Sequence, residues 1–419
     1  MTESHFDIIV FGATSFVGRI LCRYLADRYG LAGDLRWAAA GRSRDRLETV
    51  RASLGDEAQA LELLVADAAD EPAVRALCGR TRVVISTVGP YARYGEPLIR
   101  ACADTGTDYC DLTAEFQWMR RMIATYEQAA RTSGARIVHC CGFDSIPSDL
   151  GVFFLQQKAR ARFGEPCAKI KMRVKAMRGG VSGGTVASIT DLFEELSGDP
   201  ALRRQLASPY CLCPTNHVFT ARQRKIRAPE YDADFGRWAA PFLMEPINVR
   251  VVHRSNTLSG NAYGDSFRYD EAVLTGDGLK GRMRALGLAA GLAGFGLTAS
   301  FRPTRRVLGK FVPAPGTGPS EDQRAQGFFD LRFVGETGSG RELRARVTGD
   351  MDPGYGSTAK MLGEAGACMA LEFADADKPG GFWTPATMFG ERLIDRLEAH
   401  AGVTFELLEP ARQSTPDSG

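Results

Sequence analysis

The chain has 419 residues, enough for two cores of ordinary size, and its 44% hydrophobic and 24% charged content is that of a globular protein. Its 52 basic and 50 acidic residues leave +2 and are interleaved, so nothing in the charge pattern provides a footprint for nucleic acid. Ten cysteines with no C-x-x-C pair and five histidines offer no metal-ligand spacing, and no metal is expected.

Most of the cysteines sit in apolar segments, as reduced buried thiols do, which predicts a reducing compartment. The amino terminus carries Glu3 and Asp7 and runs straight into an apolar strand. That is not the pattern of a signal peptide, and a cytoplasmic location is the expectation.

Ile8-Ile9-Val10-Phe11 leads into Gly12-Ala13-Thr14-Ser15-Phe16-Val17-Gly18 and then a helical stretch from Arg19 to Tyr29. This is a strand, a tight turn and a helix start, whose N–H groups and dipole form a cradle for a diphosphate. Ser15 stands where a glycine of the G-x-x-G-x-x-G variant would sit, leaving Gly12 and Gly18 as anchors. Position gives the motif its weight, because it opens a helix directly after a strand; the alternative is a plain βα turn. The second strand, Leu35 to Ala40, ends on Gly41-Arg42-Ser43-Arg44 where an NAD site would place an acid on the ribose hydroxyls. An arginine fork and a hydroxyl suit a 2′-phosphate, so Arg42 and Ser43 point to NADPH unless they only open the next helix as solvated and capping groups.

Alternation continues with a helix from Arg44 to Leu54, a strand from Leu61 to Ala66 followed by Asp67, which is assigned to the cofactor contacts, and a short helix after Asp70 with Pro72 in its first turn. The strand Val83 to Thr87, a helix from Glu96, the strand Asp108 to Cys110, a helix from Glu115 and the strand Arg136 to His139 complete six βα repeats. The pattern predicts an α/β chain with a Rossmann-type doubly wound parallel sheet. Thr87-Val88-Gly89-Pro90 ends the fourth strand at the switch point, where the nicotinamide half of a dinucleotide lies.

From Lys169 to Ala176 apolar and basic residues alternate, a strand with one face buried and one wet. Similar alternation at Asn248 to His253, Phe328 to Val334 and Glu342 to Thr348 predicts a second, α+β domain with a mostly antiparallel sheet. Helices from Ser357 to Phe373 and Pro385 to Ala399 close the chain. The expected division is an NADP-binding domain over 1–145, a substrate and interface domain over 146–384, and a terminal helix and tail over 385–419 packing back on the first. Ala285 to Phe301 has no charged residue and is flanked by arginines. It reads as an internal or homodimer-interface helical pair, as a contact with a membrane surface or an acyl chain, or as a short membrane span, in which case its many Gly and Ala residues weaken insertion.

Several runs together carry a family likeness. Val84-Ile85-Ser86-Thr87-Val88-Gly89-Pro90-Tyr91, Thr107 to Glu115, Gly142-Phe143-Asp144-Ser145-Ile146-Pro147-Ser148-Asp149, Ser182-Gly183-Gly184-Thr185 and Gly354-Tyr355-Gly356-Ser357-Thr358 resemble the saccharopine dehydrogenase superfamily. Within it the chain is similar to the actinobacterial trans-acting enoyl reductases. The resemblance covers nearly the whole chain, departs from the family at Ser15, and implies reduction of α,β-unsaturated acyl chains borne on a carrier protein, a polyketide synthase or coenzyme A.

Tyr91 and Tyr94 would hang over the nicotinamide crevice, where a phenol either assists a reacting carbonyl or only walls the pocket. Asp144 follows the sixth strand at the domain junction and either faces the cleft or caps a turn. The turn Ser182 to Thr185 precedes a helical run, so its N–H groups and the hydroxyls of Ser182 and Thr185 either hold a carbonyl oxygen or only cap. The scheme is hydride transfer to the β-carbon of an enoyl thioester, with donors on the enolate oxygen and a proton delivered to the α-carbon. Two other readings are imine reduction, with Arg173, Lys175 and Arg178 on substrate carboxylates, and a non-catalytic NADPH-binding protein on lipid.

Overall fold

The computed structural model describes residues 6–31, 33–179, 195, 199–300, 318–374 and 377–409. Strands β1 (Phe6–Phe11), β2 (Trp37–Gly41), β3 (Leu63–Val65), β4 (Thr81–Ser86), β5 (Asp108–Asp111) and β6 (Arg136–Val138) form one sheet in the order β6-β5-β4-β1-β2-β3. All pairs are parallel, and a strand from far down the chain, Gly381–Trp383, joins outside β6. Ile9 lies opposite Ala38 on β2 and Val84 on β4. Along β1, Ile8 and Val10 enter one core while Ile9 and Phe11 enter the core on the other face. Burial on both faces explains why these strands read as unbroken apolar runs.

Parallel register puts the ends of β1, β2, β4, β5 and β6 on one edge, so the loops after Phe11, Gly41, Ser86, Asp111 and Val138 gather there. All the short motifs of the first 150 residues fall on those loops.

The second sheet contains β7 (Cys167–Arg178), β8 (Glu230–Asp232), β9 (Arg237–Pro241), β10 (Arg268–Gly276), β11 (Phe328–Thr337) and β12 (Glu342–Gly349); Gly381–Trp383 is β13, and β14 (Val403–Leu408) completes the second sheet. The order is β14-β12-β11-β7-β10-β9-β8, with only β7 and β10 parallel. Buried ties bind the late helices to the first half of the chain. Asp149 accepts the Ala386 amide at 2.8 Å and the Ser255 hydroxyl at 2.6 Å. Tyr24 donates to Glu364 at 2.6 Å, and the Arg396 guanidinium donates to the other oxygen of that buried carboxylate at 2.9 Å.

Three expectations change. Asn248 to His253 lies in the helix Glu245–Leu258, not in a strand. Residues 247–256 are buried on every side, so no polar stripe records the helical period and a chance alternation decided the reading. The basic face of β7 is partly covered: Lys171 and Arg173 are buried against Asp232, Asp234 and Asp270. Ala285 to Ser300 belongs to one continuous helix, Gly278–Ser300, which overturns a pair formed within the segment, and Phe301 lies outside the described residues. Among the described residues no helix is long and apolar enough to cross a membrane, which removes the span.

Candidate active site

The β1 turn is held by side chains as well as by its glycines. Gly12 has φ +94, and a Cβ there would meet Thr87 Oγ1 and Val88 Cγ2 at 2.7 Å. A Cβ on Gly18 would lie 2.2 Å from the Gly12 carbonyl oxygen. Both positions therefore require glycine, one for backbone angle and clearance and one for close approach. Ser15 caps the helix Phe16–Tyr29 by accepting the Gly18 amide at 2.9 Å, and it touches Thr87 Oγ1 at 3.0 Å. The cradle shape and free helix start fit a dinucleotide diphosphate.

Arg42 is exposed at the end of β2 and makes no hydrogen bond or ion pair among the described residues. Neighbouring Arg44 is occupied by Glu48 at 3.0 Å, and Ser43 caps the helix Arg44–Ser53. Asp67 is exposed beyond β3, with its carboxylate on the Ala69 amide at 2.9 Å. Arg42 is thus an unengaged cation at this corner, as is the exposed Arg46 guanidinium one turn into the helix.

Thr87, Val88, Gly89 and Pro90 follow β4, with a cis bond between Gly89 and Pro90 and Gly89 exposed. Tyr91 turns inward: its hydroxyl donates to the Ser86 carbonyl at 2.9 Å and its ring lies 5.5 Å from that of Trp118. Burial, and then the Asp111 carboxylate, push its phenol well above the ordinary value. A committed, buried phenol is a wall rather than a proton donor, whereas Tyr94 is 47% exposed. Glu115, read from the sequence as a helix start, has a larger task. It is buried, and its carboxylate accepts the amides of Tyr91 and Ala92 at 2.9 and 2.8 Å, fixing the turn that carries Gly89 and Pro90. An acid directly ahead of an amphipathic helix is the signal the sequence offers of that role.

Asp144 lies half-buried in the loop after β6 and has no hydrogen bond or ion pair among the described residues. Burial lifts its carboxyl to about 7. Such a group exchanges a proton near neutral pH. Ser145 beside it is buried and donates to Asn248 at 2.9 Å, and Asn248 in turn donates to Glu271 at 2.9 Å.

The late motif joins these parts. Thr358 Oγ1 accepts the Phe143 amide at 3.1 Å, and the Tyr355 ring packs edge-on against Phe16 with centroids 4.7 Å apart. Gly354 to Thr358 therefore touches both the nucleotide turn and the Asp144 loop, a junction of segments some 200 and 340 positions apart that spacing along the chain does not reveal. Ser182 and Thr185 lie outside the described residues. A separate cleft of about 560 Å³, lined by Phe153, Arg160, Tyr263, Lys378, Phe389 and Arg392 among others, contains none of the expected site residues.

A parallel sheet in the doubly wound order, a glycine-anchored helix start and a free arginine at the second strand define an NADP-binding oxidoreductase. Residues 8–138 match the saccharopine dehydrogenase NADP binding domain. A Mycobacterium tuberculosis protein named, provisionally, a trans-acting enoyl reductase is 42% identical over 97% of this chain and 98% of its own length. Proteins named trans-acting enoyl reductase from Mycobacterium tuberculosis and Mycobacterium leprae are each 38% identical, over 96% of this chain and 98% of theirs. The fold is shared with yeast saccharopine dehydrogenase (L-Glu forming), at TM-score 0.53 and 12% identity over 96% of this chain and all of that one. The chain belongs to the saccharopine dehydrogenase-like family that includes the trans-acting enoyl reductases.

Proposed function

We propose that this protein is an NADPH-dependent enoyl reductase that acts in trans, reducing the carbon–carbon double bond of α,β-unsaturated acyl thioesters on a separate carrier protein, polyketide synthase or coenzyme A during lipid or polyketide synthesis. The observation that carries the reading is Asp144, an unengaged carboxyl on the sheet edge that accepts the cofactor, in a chain whose full-length relatives bear the enoyl reductase name.

The 12–18 turn would hold the diphosphate, Arg42 and Ser43 the 2′-phosphate, and Thr87 to Pro90 the nicotinamide half. Asp67 would border the adenosine side. NADPH supplies a hydride for the β-carbon of the substrate. Asp144, neutral over part of its population near pH 7, delivers the proton that completes the α-carbon. Tyr91 walls the crevice from behind, and the hydroxyls of Ser182 and Thr185, which lie outside the described residues, are the sequence's candidates for donors to the thioester oxygen. Work on a carrier-bound chain fits a cytoplasmic protein.

Imine reduction needs free cations for substrate carboxylates, and Arg173 is consumed by Asp232 and Asp270, each 2.7 Å away. The test is NADPH oxidation by the purified chain, followed by absorbance, with crotonyl-type thioesters and with keto acid plus amine pairs. Oxidation with the thioesters and formation of equal amounts of saturated product are expected. Oxidation only with the keto acid pairs would reverse the reading.

A further inference from the structure

The helix Gly278–Ser300 is attached to the second sheet along a narrow face, where Gly281, Ala285 and Ala299 are buried and the Arg282 guanidinium lies 5.4 Å from the Trp238 ring centroid. The opposite face carries Leu279, Met283, Leu286, Ala290, Ala293 and Leu297. Their spacing alternates four and three residues, which keeps them on one line of a helix, and all six are exposed. Leu279 is 73% exposed, Met283 59% and Leu297 64%. Large side chains are seldom left in water in such a row, so the stripe has a use.

Charge decides what covers it. Lys280, Arg282 and Arg284 sit at the first turns, and the helix from Gly278 to Ser300 carries no acidic residue. A second copy of the helix would bring the same cations with no acid to answer them, whereas an anionic bilayer answers every one. We propose that this helix lies in the interface of an anionic phospholipid membrane, with the Leu279 to Leu297 stripe in the acyl boundary and the exposed Lys280 and Arg284 among the headgroups. The inference does not rest on the enoyl reductase reading, and it brings the chain to a surface where long acyl chains reside.

The test is co-sedimentation of the full chain with vesicles of phosphatidylcholine alone and of phosphatidylcholine mixed with phosphatidylglycerol. Binding to the mixed vesicles only, weakened by salt, is expected. L286E/L297E and, separately, K280E/R284E should each weaken it about ten-fold or more. All four side chains are exposed, so melting temperature and NADPH fluorescence should match the parent protein. Equal binding to both vesicle types, no binding, or parent-like binding by either pair would overturn the proposal. A dimer in sedimentation velocity that L286E/L297E converts to monomer, without vesicle binding by the parent, would assign the stripe to a second copy instead.

Discussion

Ser15 Oγ lies 3.0 Å from Thr87 Oγ1 and so clips the turn after β1 to the turn after β4. The Thr87 proton is used on the Gly12 carbonyl at 2.9 Å, so Ser15 donates to Thr87 while accepting the Gly18 amide. The serine that departs from the glycine pattern is therefore a cap and a clasp. Thr87→Val keeps the shape and removes both hydroxyl contacts. It should cost about 1 to 2 kcal/mol of stability and weaken NADPH several-fold, read by melting with and without cofactor. An unchanged melting curve would show the clasp to be idle.

Gly12→Val puts a branched side chain where even a Cβ meets Thr87 and Val88 at 2.7 Å, at a φ of +94. NADPH fluorescence enhancement should vanish while circular dichroism keeps the mixed α/β signature. Full enhancement would move the cofactor site elsewhere.

Arg42→Ala removes the unengaged guanidinium from the end of β2. A charge-assisted phosphate contact contributes roughly 1.5 to 3 kcal/mol, so NADPH should weaken about ten-fold or more while NADH changes little. Calorimetry with both cofactors decides it, and equal affinity of the parent protein for the two would sink the assignment.

Asp144→Asn leaves the loop and removes the proton. If the carboxyl is the donor, the parent rate falls as pH rises through about 7, because the folded-state value is raised and the neutral form disappears there. The variant should lose about a hundred-fold or more in kcat, keep its NADPH affinity and lack that limb of the pH profile. A variant with the parent profile would reassign the donor.

Arg173→Met tests the buried charge cluster of the second sheet. Removing the cation leaves Asp232 and Asp270 facing each other in the interior, with Lys171 3.8 Å from Asp232 as the remaining counter-charge. About 3 to 5 kcal/mol should be lost, seen as an earlier first transition in a thermal scan. A protein of parent stability with failed substrate binding would restore Arg173 to the site.

The sequence by itself determined the nucleotide half. Residues in βα repeats bury continuous strands and place their turns on one edge, so the positions of Gly12, Gly18, Arg42 and the loop after Ser86 are legible from local order. Local order also drew Asn248 to His253 as a strand, since a helix buried on all sides leaves no periodic mark. Only the tertiary structure decided that Tyr91 faces inward, that Glu115 supports its turn, and that Arg173 is bound by acids some 60 and 100 positions away. It also decided that Thr358 meets Phe143 and that Tyr355 packs on Phe16. Contacts between residues so far apart in the chain are set by packing of whole elements, and the free energy of such packing is not written in the spacing of either partner.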